Sequence, residues 1–175
     1  MKGMPKNLPD RRIVYIVTVP ETAYAFLRED FRALGAKGFS VHLISSLGPP
    51  LAVLEHDLGI EIHTVGLKRR FSLFRDLASL LEIFLIILRI RPEIVNYATP
   101  KAAFLGALAS WAARVPTRVY ELRGLRMETA RGVGRSVLAA VERLTSACST
   151  QVLCVSKSLY DIYKRLGLSR PDKLT

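Results

Sequence analysis

Five arginines, Arg118, Arg123, Arg126, Arg131 and Arg135, fall within eighteen residues, relieved only by Glu121 and Glu128. A guanidinium is a planar fork that meets two phosphate oxygens at once, which a lysine ammonium cannot do. Gly124, Gly132 and Gly134 let the chain turn tightly between them. The segment therefore reads as a phosphate or pyrophosphate pocket, against the plainer reading of a solvated basic surface. A second group, Thr18, Glu21 and Thr22, surrounds Val19-Pro20. Its hydroxyls and carboxylate suit the hydroxyls of a sugar, and capping of the next helix by Thr18 or Thr22 is the alternative. This loop has no Gly-x-Gly-x-x-Gly, so NAD or FAD is not expected there. Thr99, Pro100 and Lys101 form a third group, and Ser156, Lys157 and Ser158 a fourth.

Other reactive side chains show no such grouping. His42 and His63 are expected in or beside strands and His56 in a loop. No two of them have metal-ligand spacing along the chain, so no metal site is expected. Cys148 and Cys154 lack a second ligand pair and read as reduced thiols, Cys148 and Cys154 both being buried in that reading. There is no Gly-x-Ser-x-Gly elbow. Trp111, set among alanines, reads as core packing.

The elements that must position these groups alternate. Residues 12–19 (RIVYIVTV), 39–45 (FSVHLIS), 60–65, 93–98 (EIVNYA), 117–122 (TRVYEL) and 151–155 (QVLCV) are β-branched runs of strand length. Residues 22–37, 72–90, 101–114, 136–146 and 156–166 are helical, and Gly48-Pro49-Pro50 reads as a breaker. Strands alternating with helices imply an α/β, doubly wound parallel sheet covered on both faces. Ligands of such sheets bind beyond the carboxyl ends of the strands, at the switch point in strand order. The four groups above all lie at expected strand ends.

Composition limits the partners. Half of the 175 residues are apolar, which suits one globular domain with one main core. The net charge is +11, from 26 Lys and Arg against 15 Asp and Glu. Residues 1–65 are balanced, with seven bases and seven acids, so the excess lies wholly in residues 66–175. A polyanion is implied, and charge alone does not choose among nucleic acid, anionic membrane and phosphate-bearing substrate. Nucleic acid is disfavoured, since aromatic interleaving and known binding motifs are missing. Residues 1–10 have no apolar run, read as a flexible tail rather than a signal peptide, and so point to a cytoplasmic protein.

The segment 72–90 is unusual. Ser72, Arg75, Asp76, Ser79, Glu82 and Arg89 fall in one narrow stripe, leaving an apolar face far wider than a helix on one side of a sheet needs. Phe71, Phe74, Ile83, Phe84 and Ile87, flanked by Lys68, Arg69, Arg70, Arg89 and Arg91, suit contact with an anionic membrane surface. A core helix or an oligomer interface accounts for the pattern equally well.

The succession RIVYIVTV, ALGAKGFSVHLIS, RPEIVNYATPKAAFLGALASWAARVPTRVYELRGLRME, ERLTSACSTQVLCVSKSL and RLGL resembles the N-terminal domain of family 4 glycosyltransferases of GT-B fold, of the bacterial capsule, exopolysaccharide or O-antigen type. The likeness spans residues 11–175. It is most specific at Pro100-Lys101, at Arg123 to Arg126 with Glu128, at Glu142-Arg143 and at Val155 to Leu159. The resemblance implies a Rossmann-like domain over residues 11–170, half of a GT-B architecture, with residues 171–175 opening an interdomain linker. It implies a retaining transferase in which this half binds the acceptor, a lipid-linked or polysaccharide chain. Thr18, Glu21, Thr22, Thr99 and Lys101 would line the acceptor side, and Arg123, Gly124, Arg126, Glu128 and Ser156 the phosphate side of the cleft. Many relatives carry His where this chain has Arg123, so a His-dependent role does not carry over. No cofactor is implied. The nucleotide-sugar donor is a substrate expected on a C-terminal domain that this chain lacks and that a separate chain could supply. Negligible turnover by the 175 residues alone is the corresponding expectation. The resemblance further implies a peripheral position on the inner face of the cell membrane, with Lys68, Arg69, Arg70, Phe71, Phe74 and Phe84 in contact. A non-catalytic membrane-associated or assembly module with the same fold is the competing reading.

Overall fold

The computed structural model describes residues 11–68, 72–125, 127 and 130–175. Arg69, Arg70, Phe71, Arg126 and Glu128 therefore lie outside the described residues, as does the expected tail 1–10. The strands are β1 (Arg11–Ile16), β2 (Phe39–Ser45), β3 (Glu61–Thr64), β4 (Ile94–Ala98), β5 (Thr117–Leu122) and β6 (Gln151–Cys154). All pair in parallel, in the order β3-β2-β1-β4-β5-β6. The helices among the described residues are α1 (Pro20–Phe26), α2 (Arg28–Ala36), α3 (Pro50–Leu58), α4 (Leu73–Ile90), α5 (Pro100–Ala112), α6 (Gly132–Cys148) and α7 (Lys157–Arg165). This is a doubly wound α/β sheet, and its order reverses between β1 and β4.

The strands are apolar on both faces because helices cover both. On one face Ile13, Tyr15, Val17, Val41 and Leu43 meet α1, α2 and α3 through Leu27, Phe31, Leu51 and Leu54. On the other, Val14, Ile16, Ile44, Val95 and Tyr97 meet α4, α5 and α7, with Ile83, Ile87 and Tyr163 fully enclosed. Full burial of each such aliphatic side chain contributes about 1.5–3 kcal/mol.

Two elements differ from the sequence reading for local reasons. The helix expected over residues 22–37 is two, α1 and α2, broken at buried Leu27, whose ψ of −2° departs from the helical value. The segment after Gly48 holds α3 instead of a loop, so His56 sits in the last turn of a helix. Pro50 occupies the first helical position, where a missing N–H costs nothing. Gly59 ends the helix at φ 62°, a conformation that suits glycine. Of residues 171–175, expected to open a linker, Pro171–Lys173 form a 3-10 turn and the last two pair with β6: the Thr175 N–H donates to the Val152 carbonyl at 2.9 Å and the Cys154 N–H to the Thr175 carbonyl at 2.8 Å.

Trp111 is not core packing. Phe104, Leu108 and Trp111 share the outer side of α5, and Trp111, near the helix end, is 59% exposed. Small residues face the sheet instead. Gly106 sits where a Cβ would lie 3.0 Å from Ile16 Cδ1 and 3.2 Å from Tyr97 Cβ, so α5 approaches closely enough that a side chain there would have to push these neighbours aside.

Candidate functional site: a cleft at the switch point

The carboxyl ends of β1, β4 and β5 open into a cleft of about 750 Å³. Thr18, Thr22, Thr99, Lys101, Arg123 and Gly124 all line it, which brings together three of the four groups singled out in the sequence. One hydroxyl ties two of its walls together. Thr99 Oγ1 accepts the Thr18 N–H at 3.1 Å and lies 2.8 Å from Thr18 Oγ1, tying the end of β1 to that of β4. Thr99 adopts φ 69°, a left-handed conformation that costs a non-glycine residue about 1–3 kcal/mol and typifies ligand-binding turns. The next residue, Pro100, starts α5, whose N-terminus carries partial positive charge toward the cleft.

Arg123 forms the basic wall. Its guanidinium pairs with Glu121 at 2.5 Å and lies 5.1 Å from the centre of the Phe26 ring. Its Nε–H is buried without a hydrogen-bond partner among the described residues. A buried donor left this way is costly unless a ligand acceptor reaches it. Lys101 contributes differently. Its ammonium is buried, paired with Asp76 of α4 at 2.5 Å and bonded to the Lys68 carbonyl at 2.7 Å, so its stem rather than its charge faces the cleft. Among the described residues that line the cleft there is no carboxylate or imidazole. The described part of this wall can bind and stabilise charge.

The remaining candidates separate. Glu21 is exposed in the first turn of α1, outside the residues lining the cleft. Neither Thr18 nor Thr22 caps α1, whose cap position is Val19 with no side-chain bond. Ser156 caps α7, its Oγ accepting the Leu159 N–H at 3.3 Å. Arg118 does not join the arginine cluster. It lies at the amino end of β5, where Nε donates to the Cys148 carbonyl at 2.6 Å and another N–H to the Val115 carbonyl. Arg131 and Arg135 are exposed at the start of α6. Glu142 is buried and accepts the hydroxyls of Tyr120 at 2.9 Å and Tyr163 at 3.3 Å. Burial raises its pKa, with the two phenols acting in the opposite direction, and its role is to join α6, β5 and α7. Burial likewise raises both thiols; Cys148 is buried and Cys154 partly so.

On α4, Ile83 and Ile87 are core residues and Phe84 is half-buried against them, so these three do not face outward. Ser79, assigned to a polar stripe, is buried, and Asp76 turns toward Lys101. The opposite side carries Leu77, Leu81, Leu85 and Leu88, with Phe74 86% exposed at its start. Lys68 is exposed before the helix, and Arg75, Arg89 and Arg91 along it. No helix among the described residues is long and apolar enough to cross a membrane.

Residues 23–175 match the glycosyl transferase 4-like domain, and the chain belongs to that family. It is 33% identical over 168 residues to the capsular polysaccharide biosynthesis glycosyltransferase CapM of Staphylococcus aureus, covering 96% of this chain and 43% of that one. It is 27% identical over 128 residues to the UDP-Gal:alpha-D-GlcNAc-diphosphoundecaprenol alpha-1,3-galactosyltransferase of Escherichia coli, covering 73% and 33%. A glycosyltransferase from Rickettsia africae has the same fold, with a TM-score of 0.68 at 15% identity over 96% of this chain and 42% of that one. The chain thus has the Rossmann-like fold of one half of a GT-B architecture, and it spans less than half the length of these relatives.

Proposed function

We propose that this chain is the acceptor-binding half of a retaining glycosyltransferase that moves a sugar from a nucleotide-sugar to a lipid-linked or polysaccharide acceptor. Family membership and the polysaccharide and diphospholipid chemistry named for its relatives support the transfer of a sugar. The observation that carries the acceptor role is the switch-point cleft, where Arg123, with its unpartnered Nε–H, faces the N-terminus of α5 across hydroxyl-bearing turns. An acceptor diphosphate would lie between guanidinium and helix end, with Thr22 beside the sugar. Donors so arranged also stabilise charge that develops during transfer. The donor nucleotide would be held by a second domain, in the same or a separate chain.

The outer leucines of α4 and the basic residues beside them would rest on the inner face of the cell membrane, near a lipid-linked acceptor. Apolar burial and attraction to anionic lipid act together in such a contact.

The test is binding of a water-soluble, short-chain lipid analogue bearing a sugar diphosphate, followed by calorimetry against UDP-sugar. The chain should bind the analogue more tightly than UDP-sugar, and Arg123→Gln should weaken it about tenfold, or about 1.4 kcal/mol. Circular dichroism checks that the fold persists in the variant. Tighter binding of UDP-sugar, or no response to Arg123→Gln, would reject the acceptor role.

A further inference from the structure

The register of β2 and β3 assembles a group that lies apart from the cleft. His42 pairs with Glu61 and Ile44 with His63, so His42, Glu61 and His63 project from one face of the sheet, toward the side covered by α4. His42 Nδ1 lies 3.2 Å from His63 Nε2 and 3.3 Å from Glu61 Oε2. All three ligand atoms fall within 4.8 Å of one another. Bonds of 2.0–2.1 Å to a tetrahedral ion imply ligand separations of about 3.3 Å, which the two shorter distances match.

We propose that His42, Glu61 and His63 form a binding site for one zinc-class divalent cation at the β2–β3 edge of the sheet. Two imidazoles and one carboxylate favour such an ion over magnesium or calcium, which take oxygen ligands. The outer contact needed to orient a ligating histidine is present: His42 Nε2 lies 3.3 Å from Ser40 Oγ. In the tautomer with its proton on Nε2, His42 donates to that hydroxyl and presents the Nδ1 lone pair to the ion. Three lone-pair atoms then converge where one proton satisfies only some of them and one dication satisfies all. His42 is buried and fixes the geometry, whereas the Glu61 side chain, 65% exposed, can swing in to close the third ligand distance. Solvent at that edge supplies the fourth ligand. Arg89 on α4 opposes a cation near His63, and the Glu61 carboxylate favours one. The ion would hold the four-residue edge strand β3 to β2.

The chain contains three histidines, two of them here, so untagged protein gives a clean readout. Metal-free chain is titrated with zinc against a chromogenic chelator, and with cobalt while its visible absorption is recorded. One equivalent should bind, cobalt should give the intense bands of a tetrahedral site, and zinc should raise the Tm. His63→Ala and Glu61→Gln, both at the exposed edge, should each weaken zinc at least about tenfold. His56→Ala on α3 should change nothing. Absence of stoichiometric binding, binding unchanged in His63→Ala, or binding lost in His56→Ala would each overturn the proposal. Circular dichroism of each variant separates lost ligand from lost fold.

Discussion

Helices α4 and α5 lie side by side and are both strongly apolar, yet they end in opposite environments. α5 buries eight of its thirteen residues, chiefly alanines, with Gly106 pressed against Ile16 and Tyr97. α4 buries Ser79, Ile83, Ile87 and Ile90 and leaves a leucine stripe in solvent on its far side. Small side chains bring α5 close enough for the sheet and neighbouring helices to cover it. Long ones hold α4 at the margin, where nothing in the described chain covers its second face. Apolar content thus says that a helix seeks burial, and side-chain size decides whether its own fold can supply it.

The largest expected effect is on α5. Gly106→Leu forces atoms into the contact with Ile16 and Tyr97 and should cost about 3 kcal/mol, whereas Ala78→Leu on the exposed side of α4 should cost less than about 0.5 kcal/mol. Urea unfolding of the two variants measures the contrast, and equal losses would break it. Next, Leu77→Glu, Leu81→Glu and Leu85→Glu combined should reduce binding to anionic phospholipid vesicles about 100-fold, or about 2.7 kcal/mol, while the Tm stays near that of the parent. Vesicle binding that survives all three would remove α4 from the membrane contact. The smallest effect concerns the link between the helices. Lys101→Met leaves the Asp76 carboxylate, 16% exposed, without its ammonium and should cost about 2 kcal/mol after allowance for water at that edge. Addition of Asp76→Asn should recover part of that loss, and a double-mutant cycle measures the coupling.

Much of the fold was legible because most strands are short runs rich in β-branched and aromatic residues and many turns are punctuated by glycine or proline. The spans expected for β2 and β5 are those observed, and the parallel sheet follows from the alternation. Pro49-Pro50 misled because proline breaks a helix from within but begins one at its first position. In the site, the rule that ligands gather at strand ends placed Thr18, Thr22, Thr99, Arg123 and Gly124 around one cleft. It could not tell that the Lys101 ammonium is engaged by Asp76, and grouping arginines by their distance along the chain passed over Arg118 opening the expected strand 117–122 and so standing at its other end. The first follows from the packing of α5 beside α4, and the second from direction: a strand sends its two ends to opposite ends of the sheet, so a cluster that is compact in sequence is divided between them.

The amino-acid order by itself determined the class of fold, the strand-end loops from which a cleft could be built and the excess apolar character of α4. Periodicity and breaker residues act over a few neighbours and are readable along the chain. Only the tertiary structure decided which face of α4 stayed in water, how close α5 could come, and that His42 meets His63 at 3.2 Å across twenty-one residues. Those outcomes depend on register and packing between distant segments, where a one-residue shift would turn each side chain to the opposite face.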